Sequence, residues 1–409
     1  MYFSPKTSAD GLVFHYDTGN TVRSYLGEPT VNLSYNNGQG GSEYLAAPIT
    51  WINAGSWDYN GDAADVPKPE VVGVNTAGLR VMSGTNTTAG GSVHFGCGYT
   101  PVSPSTTYTV SVWYRQNRAG ASQPYLRTNI TNVGLANLAY NGDTNSANWP
   151  VNQWIRVSAT GTTASNENGI YISNYIGTYV GDKIWYFAHQ VEQKSHVTPL
   201  VAGTRSATQG LKDLTAANTV NLSNVSFDSN AQMTFDGTDD YVDVGDLGTV
   251  GSTYSLECVF KSTSVTSYKN VFDMNYATYS GVTGNTGPRL EQTSGQGINF
   301  IWSGVTNNNG LYNYTNTFAI SADTYYHVVF VQNGTTGAMY VNGALKDQAN
   351  NAQGYLQTFG DFNIGRGFIL DPSRYFSGNV DMFKIFNRAL TADEVARNFN
   401  AIKSRFNIG

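Results

Sequence analysis

The segment at residues 325–343, YYHVVFVQNGTTGAMYVNG, constrains the fold of this chain more than any other. From 325 to 332 the side chains alternate between two faces of a strand, and the members of one face are Tyr326, Val328 and Phe330. A glycine-rich turn and a second short strand follow. They end at Asn342-Gly343, a pair that accepts the positive φ angles of tight turns. The segment therefore predicts two antiparallel strands.

The composition extends this prediction to the whole chain. Only 13% of the 409 residues are charged, whereas Gly contributes 44 residues and Tyr 27. Helical bundles and coiled coils need many more charged residues and alanines, so the composition favours an all-β protein. The length exceeds that of one ordinary core and predicts two or three domains.

Charge and hydropathy exclude several classes of function. The net charge is −6 and no block of Lys or Arg occurs, which argues against a nucleic-acid-binding protein. The apolar runs are too short to span a membrane as helices. The first residues, MYFSPKTSADG, lack the charged and apolar regions of a secretory signal, so we expect synthesis in a cytoplasm.

Turn-forming segments suggest a division of the chain. We predict an N-terminal arm at 1–40, a β-sandwich at 41–200 and a second sandwich at 201–409, with a Pro- and Gly-containing junction near 198–210. The first clear strand is Tyr108–Tyr114. One short helix is expected at the C-terminus, because Thr391 and Glu394 form a capping-box pattern. The predicted fold class is all-β: two tandem antiparallel sandwiches and one C-terminal helix.

Four pieces of the second half resemble laminin-G-like, or concanavalin A-like, jelly-roll domains. In order they are FDGTDDYVDVG, YSLECVFKS, the hairpin at 325–343, and FSGNVDMFKIFNRALTADEV. The resemblance covers about half of the chain and implies a jelly roll of the kind that holds sugars or proteins. Tyr326 departs from the pattern, since the family commonly has Trp there.

The first half is similar, more loosely, to the jelly rolls of carbohydrate-binding modules. WPVNQWIRVSATGT at 149–162 and IWYFAHQVEQKSHVTPLVAGTRS at 184–206 resemble the last strands of such modules in bacteriophage virion proteins. DGLVFHYDTGNTVRSYLGEPTVNL at 10–33 is similar to an opening of phage structural proteins. The resemblance implies a virion-surface protein, either a capsid decoration or a tail-fibre component.

Catalytic patterns are weak. A glycosidase needs two facing carboxylates. The nearest candidates, Asp239, Asp240 and Asp243, lie in a typical strand and turn, with no second acidic cluster facing them in the sequence pattern. The five histidines show no metal or triad spacing, and we expect His327 to be packed and bonded to a backbone group. We expect the two cysteines to be small buried or half-buried thiols. We therefore predict a non-enzymatic protein without a cofactor.

Calcium is the one metal that the resemblance leaves open. Relatives of the fold often bind it near a sheet edge, and Asp236 and Asp381 occupy motif positions that could converge on such a site. Calcium takes six or more oxygen ligands, so two carboxylates do not define the site.

Aromatic side chains in loops are candidates for sugar stacking. Two turn-rich segments, TWINAGSWDYNGD and NNNGLYNYTN, carry Trp51, Trp57, Tyr59, Tyr312 and Tyr314. The same residues could instead cover a core or a subunit interface.

These observations leave three hypotheses. The favoured one is a phage virion protein that forms a homo-oligomer, by analogy a trimer, contacts other virion proteins and displays lectin-like domains to host-surface glycans. Its location would be the virion surface, with no nucleic-acid partner and no membrane insertion. The alternatives are a cellular or secreted carbohydrate-binding adhesin and, with less support, a polysaccharide hydrolase.

Overall fold

The computed structural model describes residues 7–33, 57–60, 65–71, 79, 81–87, 94–128, 134–176, 179–201, 203–228, 230–265, 268–274, 288–293, 297–301, 318–350, 357–358, 362–367 and 374–409. The strands up to residue 205 are β1 (Leu12–Asp17), β2 (Thr30–Val31), β3 (Trp57–Asn60), β4 (Met82–Asn86), β5 (His94–Pro101), β6 (Thr107–Gln116), β7 (Ser122–Thr128), β8 (Gly134–Asn137), β9 (Ile155–Thr162), β10 (Gly169–Ile176), β11 (Lys183–Glu192) and β12 (Thr204–Arg205).

The later elements are β13 (Asn221–Ser223), β14 (Ser226–Phe227), β15 (Met233–Asp236), β16 (Tyr241–Gly245), β17 (Thr249–Gly251), β18 (Thr253–Ser262), β19 (Asn270–Met274), β20 (Arg289–Gln292), β21 (Gly297–Ile301), β22 (Phe318–Ala319), β23 (Tyr325–Asn333), β24 (Thr336–Val341), β25 (Ala344–Asn350), β26 (Gln357–Thr358), β27 (Phe362–Ile364), β28 (Ser377–Phe386) and the helix α1 (Ala392–Ile402). A short 3-10 helix covers Ser146–Asn148. The predicted fold class is confirmed, since the described elements are antiparallel strands with one short α-helix. No helix in the described ranges is long and apolar enough to cross a membrane.

The chain divides into two compact units, one comprising Met1–Glu28 and Ser206–Gly409 and the other Pro29–Arg205. The predicted division differs from this one at the N-terminus, where 1–40 was expected to form a separate arm. Instead, β1 pairs with β28 of the C-terminal unit. The reason is that β15 covers the edge of β28 only at Ser377–Asn379, which leaves the rest of that edge for β1.

In the unit at 29–205, a five-stranded sheet, β3-β4-β11-β6-β9, packs on a four-stranded sheet, β5-β10-β7-β8. The predicted inward face of β6 is confirmed, because Tyr108, Val110, Val112 and Tyr114 are all buried in this core. Behind the last strand, the Glu192 carboxylate accepts hydrogen bonds from the Thr198 amide and hydroxyl and from the Thr30 hydroxyl. Buried hydrogen bonds thus connect the two parts of the closing sequence, QVE at 190–192 and TP at 198–199.

The other unit contains two larger sheets. The first has the order β14-β15-β28-β18-β23-β24-β25, with β1 beside β28, and the second has the order β13-β16-β27-β19-β20-β21-β22. Aromatic rings fill the space between them: Phe300 of the second sheet stacks on Phe330 of the first at 3.8 Å between centroids. Val242, Ile364, Phe272 and Leu290 complete the inward face of the second sheet.

The hairpin and helix follow their local signals. The turn between β23 and β24 is tight, because Asn333 already pairs with Thr336. Helix α1 begins after Thr391, and the capping box with Glu394 is formed. The helix lies on the outer face of the first sheet, where Ile402 and Val395 pack against that sheet. This face carries apolar side chains such as Val259 and Val329, which the helix shields from water.

Candidate functional site

A row of polar side chains crosses the outer face of the second sheet of the C-terminal unit. Cross-strand neighbours share a face of a sheet, and the register connects Asn221 to Asp243, Asp243 to Asn363, Asn363 to Asp273, and Asp273 to Arg289. We call these five residues the polar row. At ~4.8 Å per strand, the four steps span about 19 Å.

The polar row points away from the core because its residues alternate with buried apolar neighbours. Phe272 precedes Asp273, and Leu290 follows Arg289; both apolar side chains lie in the core. Three members of the row are themselves almost inaccessible, with exposed fractions of 3% for Asn363, 2% for Asp273 and 4% for Arg289. Buried polar groups are costly unless they are bonded, so such a row is rarely retained without a structural or a binding role.

Two arginines share one carboxylate beside the row. Arg289 Nε and Arg374 Nη1 each donate to Glu291 Oε2, both at 3.1 Å. Glu291 is 6% exposed, and the Arg374 side chain is 22% exposed. We call these three residues the arginine cluster. In this cluster the Arg289 guanidinium is buried, whereas the Arg374 guanidinium is partly exposed.

Each end of the face has an aromatic ring in contact with an arginine. The Tyr268 ring lies 5.6 Å from the Arg374 guanidinium, and the ring is 57% exposed. At the other end the Arg366 guanidinium lies 3.6 Å from the centroid of the Tyr241 ring and donates to Asn363 Oδ1 at 3.1 Å. Cation–π contacts of this kind hold both ring and guanidinium in place.

Chemically, this face offers amide and carboxylate acceptors, guanidinium donors and flat aromatic rings. A ligand rich in hydroxyl groups satisfies both donors and acceptors, and its apolar C–H surfaces pack on aromatic rings. The face is therefore suited to a polyhydroxylated ligand rather than to an apolar one.

The structure describes two of the five aromatic residues predicted from the sequence. Trp51, Tyr312 and Tyr314 lie outside the described residues. Trp57 and Tyr59 were expected in a turn-rich loop, but they belong to strand β3, which pairs with β4. The Asn and Gly residues around them concealed an edge strand.

The two carboxylates proposed for calcium are not brought together. Asp236 pairs with Ser377 on β28, and Asp381 lies four residues further along that strand, or about 13 Å away. Asp381 is fully buried and accepts hydrogen bonds from the Met233 amide at 2.9 Å and the Tyr325 hydroxyl at 2.5 Å. Its carboxylate is thus occupied by the protein's own donors.

Asp236 has different acidic neighbours. Its carboxylate, together with those of Asp239 and Asp240, forms a group whose oxygens lie within 4.8 Å of one another. Backbone amides of the same turn already bond two of them: Asp236 Oδ1 accepts from Thr238, and Asp240 Oδ2 accepts from Asp236. Burial, the main cause, raises the pKa of Asp240 to about 6. These bonds are those of a tight turn that joins β15 of one sheet to β16 of the other.

His327 was expected to bond a backbone group, and this expectation is wrong for its ring. His327 Nε2 lies 3.2 Å from Glu257 Oε1, which also accepts from Lys384 Nζ at 3.1 Å. Glu257 Oε2 accepts from Asn398 Nδ2 of the helix at 2.7 Å. The charged partners face each other beneath α1 because β18, β23 and β28 are neighbours in the sheet.

The sequence interpretation missed the arginine cluster and most of the polar row. Asp243 was considered, but no facing acidic residue was recognised, although Asp273 lies two strands away in the same row. A short signal was present: FDM at 272–274 and RLE at 289–291 alternate apolar and polar residues, as strands with one outer face do. The missing information was the strand order, which brings segments from distant parts of the chain together.

Comparisons with known proteins address the C-terminal unit. Residues 236–396 match the Laminin_G_3 family, described as the concanavalin A-like lectin/glucanases superfamily. Over these residues the chain is similar to the lectin-like jelly-roll domains of that superfamily. A search of curated proteins finds no match.

Solved structures match this chain at low sequence identity and low TM-score. The binding domain of botulinum neurotoxin serotype D is 15% identical over 47% of this chain and 49% of its own, with a TM-score of 0.38. Domain 4 of a GH43 extracellular arabinanase from Geobacillus stearothermophilus, in complex with arabinotriose, is 15% identical over 47% of this chain and 91% of its own, with a TM-score of 0.34. A SAP-like pentraxin from Limulus polyphemus is 16% identical over 43% and 80%, with a TM-score of 0.32. The matches cover about half the length of the neurotoxin domains.

Proposed function

We propose that this protein is a non-enzymatic carbohydrate-binding protein of a bacteriophage virion, a capsid decoration or fibre component. The carbohydrate-binding part rests on one observation: the polar row and its two flanking tyrosines lie together on the outer face of a lectin-like domain. Asn221 and Asp243, the accessible members of the polar row, supply hydrogen-bond partners for hydroxyl groups, and Tyr268 supplies an exposed ring for stacking.

A glycan microarray tests the binding part. We expect the intact protein to bind a defined set of bacterial glycans, and Tyr268→Ala to lose roughly 2- to 10-fold in affinity, since an aromatic contact contributes about 0.5–1.5 kcal/mol beyond its buried area and about 1.4 kcal/mol is tenfold. Tyr179→Ala is the matched control, because Tyr179 is also exposed and stacked by an arginine, Arg118, but belongs to the other unit. Equal losses in both variants, or no binding by the intact protein, would refute this assignment.

The virion part rests on the phage-like segments at 10–33 and 184–206. Mass spectrometry of purified particles tests it: the chain should be present in intact virions and accessible to surface labelling. A homo-oligomer, by analogy a trimer, is part of the same proposal, and native mass spectrometry measures its stoichiometry. A protein found only on cell surfaces would instead be an adhesin.

The absence of hydrolysis is also a proposal. Asp243 and Asp273 are the carboxylates of the polar row, two strands and thus about 10 Å apart. A glycosidase also needs a carboxyl group that can donate a proton, whereas Glu291 accepts hydrogen bonds from two guanidinium groups at one oxygen. We expect the purified protein to release no reducing sugar from any glycan that it binds. Turnover that disappears in Asp273→Asn would overturn this.

A further inference from the structure

We propose that Tyr268 is a preset stacking anchor: its backbone is held in a strained conformation, and its exposed ring receives the apolar C–H face of one sugar ring. This inference rests on the proposed function, because it assigns the contact through which the same face holds its ligand. It is carried by the φ angle, the exposure and the backbone hydrogen bonds of Tyr268.

The first observation is the backbone conformation of Tyr268, whose φ angle is +62°. In this left-handed region the Cβ atom of an L-residue comes too close to the following carbonyl oxygen, and bulky side chains are rare there. In the described parts of the chain, the other non-glycine residues with a positive φ are Asn, Asp, Ser or Ala. Glycine adopts this conformation without the Cβ penalty. The backbone therefore does not explain why a tyrosine stands here.

The second observation is that the ring contributes little to folding. Tyr268 is 57% exposed, and the stabilisation that a side chain provides is roughly proportional to the apolar area that it removes from water. Strained backbone persists only where the surrounding structure enforces it, and it is concentrated at binding and catalytic sites. An exposed aromatic ring on a strained backbone therefore points to a contact with a ligand.

The third observation is the set of bonds that fixes this conformation. The Tyr268 amide donates to the Gln292 carbonyl, and the Gln292 amide donates to the Lys269 carbonyl, both at 2.8 Å. Gln292 is a buried residue at the end of β20. The Arg374 guanidinium lies over the tyrosine ring and also bonds the buried Glu291. The ring is thus held in place before a ligand arrives, which reduces the entropy that binding costs.

The chemistry of the ring defines the ligand class. The phenol ring offers a flat apolar surface, and a cyclic sugar has a matching surface of C–H groups with its hydroxyl groups around the edge. Stacking of the two surfaces needs no charge on the ligand. The inferred ligand is therefore a cyclic sugar that is recognised by its C–H face.

The first experiment measures the strain by comparing the thermal melting of Tyr268→Gly and Tyr268→Ala, which differ only in the Cβ atom. At most positions glycine gives the less stable protein, because its unfolded chain has more conformational freedom. At a left-handed position the order is reversed, and we expect Tyr268→Gly to melt roughly 2–4 °C above Tyr268→Ala.

Tyr179 provides the matched control. It is also exposed and stacked by an arginine, but its φ angle is not positive. Tyr179→Gly should therefore melt below Tyr179→Ala. A reversed order at Tyr268 alone separates the strain of its backbone from a general effect of glycine in exposed turns.

The second experiment measures binding of the same full-length variants to a microarray of bacterial surface glycans. Tyr268→Gly and Tyr268→Ala should each lose roughly 2- to 10-fold in affinity, because both remove the stacking surface. Tyr268→Phe should keep the affinity of the intact protein, since it retains the ring and loses only the hydroxyl group.

The outcomes separate this inference from the proposed function. A Tyr268→Gly protein that melts above Tyr268→Ala and binds glycans more weakly than Tyr268→Phe supports the inference. If Tyr268→Gly melts below Tyr268→Ala, if it binds as tightly as the intact protein, or if Tyr268→Phe loses binding, the inference is overturned and carbohydrate binding by the chain still stands. No glycan binding by the intact protein overturns the proposed function and this inference together.

Discussion

Replacing Glu257 with Gln should destabilise the C-terminal unit by about 3 kcal/mol. The carboxylate is fully buried and is bonded by Lys384, His327 and Asn398. Lys384 and the bonds to His327 outweigh desolvation and lower the pKa of Glu257 from 4.5 to about 2. Breaking a buried ion pair typically costs about 3–5 kcal/mol, because the remaining partner is left as an unpaired buried charge.

The assay is thermal and urea unfolding followed by circular dichroism. For a unit of this size, about 3 kcal/mol lowers Tm by roughly 6–12 °C. The control is Lys384→Met, alone and combined with Glu257→Gln, because the double variant no longer leaves an unpaired buried charge. We expect the double variant to be more stable than the sum of the single effects predicts. A Glu257→Gln protein within about 1 kcal/mol of wild type would refute the reasoning.

The loss of stability in Glu257→Gln should depend on pH. A lowered carboxyl pKa contributes stability that is present above pH 4.5 and is lost as the pH falls toward 2. Burial, followed by the charge of Lys384, lowers the pKa of His15 to about 4, so stability is also lost as the pH falls from 6.5 to 4. Burial raises the pKa of Asp381 to about 6, so this group changes the stability in the opposite direction as the pH falls. The difference between wild type and Glu257→Gln should therefore vanish only below pH 4.5; a difference that disappears already at pH 6 contradicts the assignment.

Three other predictions concern the same unit. Gly378→Ala should cost about 1–3 kcal/mol, since φ is +148° and a Cβ would meet the Lys261 carbonyl oxygen; an unchanged urea midpoint would contradict this. Thr391→Ala should cost about 1 kcal/mol by removing the helix cap, whereas Thr391→Ser should retain most of it; equal melting of both variants would show that the cap contributes nothing. Burial raises the pKa of the Cys258 thiol, so iodoacetamide should modify this thiol only after the protein is unfolded, as detected by peptide mapping. Rapid labelling of the native protein at pH 8 would show instead that the thiol is accessible.

The sequence interpretation succeeded for features that are set by residues close together in the chain. The hairpin near Asn342-Gly343 and the helix start at Thr391 are set by residues a few positions apart, and both are confirmed. The position of α1 on a sheet face could not be predicted, because it depends on which strands expose Val259 and Val329.

The candidate site lay beyond such local signals. Asp243, Asp273 and Asn363 share a row only because β27 lies between β16 and β19, although it follows β19 by about ninety residues in the chain. Strand order of this kind is decided by the packing of two sheets around one core. A single sequence shows which side of each strand is polar, but not which strands are neighbours.

Hydrogen–deuterium exchange with and without a saturating glycan from the array tests the central claim most directly. If the outer face of the second sheet binds the ligand, peptides covering 268–274 and 288–293 should gain protection, and Tyr268→Ala should abolish that gain. Protection confined to peptides from 94–201, with 268–293 unchanged, would place the ligand on the other unit and contradict the account.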